Sequence, residues 1–185
     1  MPAGRPAKAV FNIFPKEIFR VNNGPNVHLR QFTPGANFYD VPANPQGLYH
    51  SSFDDTTPER LQASLNAYRG PNGASCRPYA VWYREMIRRW TGDDVRVYTF
   101  PKGTVLPQNY ILVEETDDHF SLQRKNDTAP IADVSRDLSK FTNQMEWEAK
   151  DQWLARMANR QDPPSPFGHQ VRRHNANSRG GGHLR

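Results

Sequence analysis

The sequence predicts a single mixed α+β domain with polar extensions at both ends. Short apolar segments of strand character are separated by turns, and the helical patterns do not alternate with them regularly enough for a doubly wound sheet. The chain has 185 residues, a usual length for one domain. Hydrophobic residues make up 36% and the mean hydropathy is −0.84, which is low for a wholly globular chain.

The two ends of the chain differ in composition from the middle. We expect residues 1–13 to form a flexible lead, residues 14–161 to form the folded domain, and residues 162–185 to form a disordered basic tail. The formal net charge is +5, and the tail contributes +3 because it holds four arginines and one aspartate. The tail therefore predicts weak nucleic-acid contact through charge alone.

The cysteine content and the hydropathy pattern indicate the cellular compartment in which the protein is expected. Cys76 is the single cysteine, so no intramolecular disulfide is possible, which fits a reducing compartment. No apolar run reaches the length of a membrane span, and the N-terminus has no long apolar signal segment. We expect a cytoplasmic protein with no membrane partner, and delivery into target cells by a route without a cleaved signal stays open.

The first half of the chain predicts three short strands and one helix. The strands are expected at 18–21, 27–32 and 38–41, each bounded by turn residues. Residues 56–59, TTPE, form a capping box with proline near the first helical position. A helix should therefore begin there and run through Tyr68.

A second helix is predicted after Pro78. Apolar residues from Tyr79 to Trp90 recur at i, i+3, i+4, i+7, i+8 and i+11, which is one face of a helix and favours packing in the core over a cofactor surface. Three further strands and a last helix are expected at 95–98, 111–113, 120–122 and from residue 133 to about 149.

An acidic cluster at the end of the 111–113 strand is the first candidate site. Four carboxylates, Glu114, Glu115, Asp117 and Asp118, fall within five residues, and His119 follows them. Crowded like charges push pKa values apart, which is useful for chemistry. The alternative is a solvated acidic turn between two strands, and the residues alone favour it. His119 has no second histidine at ligand spacing, so zinc is not predicted.

Two more positions are candidates for binding an anion. Arg20 interrupts an apolar strand, so it faces either solvent or a cleft, and in a cleft its planar fork would suit a phosphate. Ser75 lies in the turn at 71–78, PNGASCRP, directly before the second predicted helix, where backbone N–H groups can hold an anion. The alternative for Ser75 is an ordinary turn and helix cap, which this evidence favours.

Taken in order, the motifs resemble a known toxin family. The similar stretches are FPKEIFRVN, NFYDVPANPQGLYH, PNGASCRP and VYTFPKGTVLPQNYILVEETDDHFSLQ, and they span roughly residues 14–142. The family is named after the second type VI secretion exported effector of a pseudomonad and has an ADP-ribosyltransferase-like fold. It has relatives in fungi, and the long polar ends here would suit a fungal relative.

The resemblance implies a split mixed or antiparallel β-sheet with flanking helices, a cleft for NAD, and an immunity protein that neutralises the toxin. By position, Arg20 matches the arginine that contacts the cofactor, Ser75 the serine of the central hydroxyl motif, and His119 a late histidine. Ala74 departs from a pair of adjacent hydroxyl residues, and no Glu-x-Glu is present. The resemblance implies that Ser75 and His119 are catalytic together with a carboxylate. Glu115 and Asp118 are the candidates for that carboxylate, with Glu114 as an alternative, and the sequence does not choose among them.

The resemblance thus predicts an NAD-dependent ADP-ribosyltransferase toxin that cleaves the nicotinamide–ribose bond and transfers ADP-ribose to an unknown macromolecule or to water. Arg20, Ser75 and His119 are its predicted NAD contacts. The first alternative is a catalytically inactive module that binds protein through a toxin-like fold, which the departure at Ala74 favours. The second alternative is nucleic-acid binding through the basic tail.

Overall fold

The computed structural model describes residues 6–36 and 38–161, and these form a mixed α+β fold, which confirms the predicted class. Nine strands and four helices lie within the described residues. The strands are β1 Ala9–Phe11, β2 Ile18–Asn23, β3 Leu48–His50, β4 Ala74–Cys76, β5 Val95–Phe100, β6 Tyr110–Thr116, β7 His119–Arg124, β8 Thr128–Pro130 and β9 Trp147–Ala149. The helices are α1 Pro58–Ala67, α2 Val81–Arg88, α3 Ile131–Thr142 and α4 Lys150–Arg156.

The strands form antiparallel sheets of four, three and two members. Their orders are β1-β6-β7-β4, β2-β5-β9 and β3-β8. The two larger sheets meet where Phe19 of β2 and the residue after β4, Arg77, exchange backbone N–H···O bonds of 2.7 and 2.8 Å. This is the split sheet with flanking helices that the family resemblance implies, and its junction brings Arg20 close to Ser75.

The four-stranded sheet is covered differently on its two faces, because side chains alternate along each strand. Toward the main core it presents Ala74, Cys76, Leu112, Phe120 and Leu122. Toward α1 it presents Ile111 and Val113, which pack with Phe53, Leu61, Leu65 and Tyr68. Ser75 pairs with Ser121, Ser121 with Val113, and Gln123 with Ile111, so these polar residues lie on the α1 side.

A second core lies between the three-stranded sheet, α2 and α4. Trp153 is fully buried there against Phe19 and Tyr83, at ring-centroid distances of 5.4 and 6.2 Å. Trp82 belongs to the predicted apolar stripe but is 42% exposed, with the Arg77 guanidinium 4.9 Å from its ring. The prediction that the whole stripe is core is therefore wrong at Trp82.

Two predicted strands, at 27–32 and 38–41, are absent from these sheets. Val27 and Leu29 are buried, as strand alternation requires, but their N–H groups donate to the hydroxyls of Ser139 and Ser135 on α3 at 2.8 and 3.2 Å. These hydroxyls satisfy the backbone without a neighbouring strand. A single bridge between Gln31 and Val41 is the remaining sheet-like contact of the segment.

The remaining differences concern element ends. The predicted start of α1 is confirmed, but the predicted capping box of Thr56 and Glu59 does not form. The N-cap is Thr57, whose hydroxyl accepts from Arg60 N at 3.3 Å, so the third helical residue is Arg60 instead of a glutamate. The helix predicted from 133 to 149 ends at Thr142. Ala9–Phe11 fall within the predicted flexible lead yet pair with β6, and the predicted tail at 162–185 lies outside the described residues. No helix in the described part is long and apolar enough to cross a membrane.

Candidate active site

Ser75 occupies a strand rather than the start of a helix. β4 covers Ala74–Cys76 and α2 begins only at Val81 with Ala80 as its N-cap, so Ser75 is neither a helix cap, as the residues alone favour, nor part of an anion site at a helix N-terminus. The sequence PNGASC extends because β7 provides a pairing partner, with Ser75 opposite Ser121. This pairing gives the Ser75 side chain a fixed position beside β7.

Ser75, His119 and Glu115 form a chain of hydrogen bonds. The Ser75 hydroxyl lies 2.8 Å from His119 Nε2, and His119 Nδ1 lies 2.9 Å from Glu115 Oε2. All three side chains are at least partly buried. A hydroxyl, an imidazole and a carboxylate in this order are the arrangement in which a histidine acts as a base on a hydroxyl.

A β-bulge places Glu115 beside the histidine. Glu114 pairs with Phe120 and Thr116 pairs with His119, so Glu115 is the extra residue of the β6–β7 hairpin. A bulge re-aims a side chain relative to the regular alternation. Of the two glutamates at the end of the strand, Glu115 is therefore the one that contacts His119.

Buried polar groups hold Glu115 in its charged form. The Tyr68 hydroxyl donates to Glu115 Oε1 at 2.5 Å, and Gln123 Nε2 donates to Tyr68 at 2.8 Å and to Ser121 Oγ at 2.6 Å. Burial raises the pKa of Glu115, but the bond and charge of His119, with Tyr68 and Ser121 as donors, outweigh it and leave the pKa below its usual value. Burial and the Glu115 charge raise the pKa of Tyr68, so Tyr68 stays a donor.

Arg20 is buried beside Ser75 without a carboxylate partner. It is 6% exposed, and its Nη1 donates to the Ser75 carbonyl at 2.7 Å. Its Nε has no hydrogen-bond partner, and no ion pair to Arg20 occurs among the described residues. A buried guanidinium is normally paired, so Arg20 has capacity left for an anion.

A cavity of about 440 Å³ lies in front of Arg20 and Ser75. Its charged lining consists of Arg20, Arg30, Arg77, Arg89 and Asp40, and its apolar lining includes Phe38, Met86 and Trp90. Asp40 accepts from Arg30 Nε at 2.9 Å, which leaves three arginines without a carboxylate inside the lining. This volume and composition suit a small anionic ligand with ring systems.

The structure thus brings Arg20, Ser75, His119 and Glu115 together. Asp118 lies apart from them, because its carboxylate accepts from Thr116 Oγ1 at 2.7 Å and only its carbonyl touches the region, through Arg77 Nη1 at 3.1 Å. Its selection as a site carboxylate gains no support from this geometry. No cluster of His, Cys, Asp and Glu suited to a metal occurs in residues 6–36 and 38–161.

Sequence reasoning missed several members of the site. The sequence marks Tyr68 only as the end of a helix, and no motif points to Gln123. One signal was present, since His119, Ser121 and Gln123 are polar at every second position between the apolar Phe120 and Leu122. That pattern predicts a polar stripe on one face of β7.

Comparisons with known proteins agree with this architecture. The sequence model of the family described as "Tse2 ADP-ribosyltransferase toxin" matches residues 16–153, well over half of the chain. The match gives no support to the expectation of a fungal relative. Comparison with curated proteins gave no match, and comparison with solved structures gave none.

Proposed function

The chain belongs to the Tse2 ADP-ribosyltransferase toxin family, and from that premise we propose that it binds NAD as a substrate in the cavity beside Arg20. It cleaves the bond between nicotinamide and ribose and transfers ADP-ribose to a macromolecule or to water. It acts as a toxin inside cells, and an immunity protein neutralises it. The observation that carries the proposal is the buried, unpaired guanidinium of Arg20.

Arg20 suits a phosphate of NAD better than it suits any described protein group. One nitrogen already bonds the Ser75 carbonyl, and the buried Nε–H finds no acceptor among residues 6–36 and 38–161. Leaving such a donor unsatisfied is unfavourable, whereas a phosphate oxygen would accept a charge-assisted bond. Arg77 and Arg89 line the same cavity and add positive charge for the second phosphate.

His119 is the acid–base group of the proposed reaction. Its Nε2 is within hydrogen-bond reach of the Ser75 hydroxyl, which lines the cavity, and its Nδ1 is held by Glu115. Neither His119 nor Glu115 is among the residues that line the cavity, so His119 acts through the Ser75 hydroxyl and Glu115 positions His119. A positioned acid–base group contributes about a hundredfold or more to rate.

The departure at Ala74 is the argument for an inactive binding module. Ala74 is 1% exposed and packs in the main core, on the opposite face of β4 from Ser75. A hydroxyl at this position would face the core rather than the cavity. The alanine therefore removes no group from the proposed NAD site, and the enzyme proposal is preferred.

Calorimetric titration with NAD tests the binding site. Arg20→Lys keeps the charge but loses the fork, and we expect the Kd to rise about ten- to a hundredfold, since a bond to a charged group contributes about 1.5–3 kcal/mol. Arg89→Ala should weaken binding less. Arg88→Ala is the matched control, because Arg88 pairs with Glu85 at 2.5 Å and lies outside the cavity lining.

Wild-type protein that gives no binding heat, or equal losses for Arg20→Lys and Arg88→Ala, would contradict the site. Toxicity provides the second test. Expression in a susceptible cell should arrest growth, and His119→Ala should relieve the arrest while leaving the fold intact by circular dichroism. If NAD does not bind and the His119 variant is as toxic as the parent, the enzyme proposal is wrong and the binding module replaces it.

A further inference from the structure

The proton positions in the Ser75–His119–Glu115 chain follow from its acceptors. Glu115 is charged at neutral pH and can only accept, so the proton between it and His119 lies on Nδ1. In the neutral ring, Nε2 is then an acceptor. With the ring in that neutral tautomer, the Ser75 hydroxyl, 2.8 Å away, is the donor of the bond to Nε2.

The Ser75 hydroxyl is not engaged in orienting Arg20. Arg20 Nη1 donates to the Ser75 carbonyl at 2.7 Å, not to the hydroxyl oxygen. Within the described part of the chain, the hydroxyl makes one hydrogen bond, to His119. Ser75 is also one of the residues that line the cavity, so the residue that bonds His119 borders the place where a ligand would bind.

The cavity offers no free carboxylate to meet a developing positive charge. Among its described lining residues the single carboxylate is Asp40, which is buried and accepts from both the backbone N–H and Nε of Arg30, at 3.0 and 2.9 Å. Glu115 is directed to His119, Tyr68 and Ser121. Two of the described lining residues carry a hydroxyl, Tyr83 and Ser75. The Tyr83 hydroxyl donates to the Phe19 carbonyl at 3.5 Å and burial raises its pKa, whereas Ser75 bonds a histidine, so Ser75 is the better oxygen nucleophile.

We propose that Ser75 is a nucleophile and takes ADP-ribose onto its own oxygen before the final acceptor receives it. This inference rests on the proposed function, with NAD as the substrate. A Ser75 Oγ electron pair forms a bond to the anomeric carbon of the nicotinamide ribose. The bond from that carbon to the pyridinium nitrogen breaks, its electron pair stays on the nitrogen, and neutral nicotinamide leaves. The hydroxyl proton moves to His119 Nε2, and Glu115 stabilises the resulting imidazolium.

The second displacement restores the serine. An oxygen or nitrogen nucleophile of the acceptor, or water, attacks the same carbon while the bond to Ser75 Oγ breaks. His119 returns its proton to the departing oxygen, and the proton of the acceptor passes to solvent. Because each displacement inverts the carbon, two displacements retain the β configuration of NAD, whereas direct transfer would give the α product.

Labelling with diisopropyl fluorophosphate tests the nucleophile without NAD. The Ser75 oxygen would displace fluoride from phosphorus, and peptide mapping by mass spectrometry should place the adduct on Ser75. Glu115→Gln and His119→Gln should slow labelling about a hundredfold. Asp118→Asn is the matched control, since Asp118 bonds Thr116 and should leave the rate unchanged. Absence of a Ser75 adduct on folded wild-type protein, or equal rates for Glu115→Gln and Asp118→Asn, overturns the inference.

Methanolysis of NAD separates failure of this inference from failure of the proposed function. With methanol as acceptor, NMR should identify β-methyl ADP-ribose, and rapid acid quenching should trap ADP-ribose on Ser75. Nicotinamide release with the α product and no Ser75 adduct would overturn the nucleophile while leaving the transferase proposal intact. Neither NAD binding nor nicotinamide release would overturn the proposed function and the inference together.

Discussion

The Tyr68 hydroxyl provides the sharpest test of the network behind His119. Tyr68→Phe removes the 2.5 Å bond to Glu115, while the ring can keep its contact with Phe53 at a centroid distance of 5.3 Å. Hydrogen bonds to charged groups contribute about 1.5–3 kcal/mol. We therefore expect the free energy of unfolding at neutral pH to fall by about 2 kcal/mol.

The loss should depend on pH with a defined sign. The folded-state pKa of Glu115 lies below its usual value of 4.5, so its charged form contributes stability above that pH, and the contribution is lost as the pH falls through the folded pKa. Removing one donor reduces this contribution. The difference between wild type and Tyr68→Phe should thus be full at neutral pH and shrink below pH 4.5.

Urea unfolding followed by tryptophan fluorescence, at neutral pH and at a series of acid pH values, measures this difference. Tyr110→Phe is the matched control, because Tyr110 is 4% exposed and its hydroxyl has no hydrogen-bond partner in the described structure. Tyr110→Phe should therefore leave the free energy of unfolding nearly unchanged. The reasoning is refuted if Tyr68→Phe loses no more stability than Tyr110→Phe, or if its loss is the same in acid.

Four further substitutions test the packing, each by urea unfolding. Trp153→Ala removes a fully buried side chain and should lower the free energy of unfolding by about 3–5 kcal/mol. Trp82 is 42% exposed, so Trp82→Ala should lower it far less. Equal losses for the two variants would contradict the description of a second core around Trp153. Gly73→Ala should cost about 1–3 kcal/mol, since its new Cβ would lie 2.5 Å from a backbone carbonyl of β7; an unchanged stability would contradict that close approach. Ser139→Ala should cost about 1–3 kcal/mol by leaving Val27 N–H unsatisfied, and a neutral effect would mean the segment is held otherwise.

Most of the site residues can be predicted from the sequence, but the contacts among them cannot. Arg20, Ser75 and His119 could be selected because each departs from its local pattern or matches a motif of the toxin family. The choice of Glu115 among four carboxylates could not be made, since it depends on a bulge in the pairing of β6 with β7. Tyr68 could not be predicted as a member of the site, because 47 residues separate it in sequence from Glu115, the carboxylate that it contacts.

The wrong strand at 27–32 illustrates the same limit in the fold. Its apolar residues alternate as in a strand, and Val27 and Leu29 are indeed buried. Alternation reports which side chains face the core but not which group accepts from the backbone. Here that group is a pair of hydroxyls on α3, more than a hundred residues later in the chain. Strand pairing is a non-local property, so a local pattern cannot decide it.

The two interpretations of the acidic cluster turn out to apply to different carboxylates. Asp117 pairs with Lys8 and Asp118 accepts from Thr116, so the tip of the hairpin is the solvated acidic turn. Glu115 is drawn inward to His119 and Tyr68. Distributing the charges over separate partners relieves their mutual repulsion, and it lets one short hairpin place a charged carboxylate behind a histidine. The single bulge at Glu115 therefore serves both the fold, by separating like charges, and the proposed chemistry, by placing Glu115 beside His119.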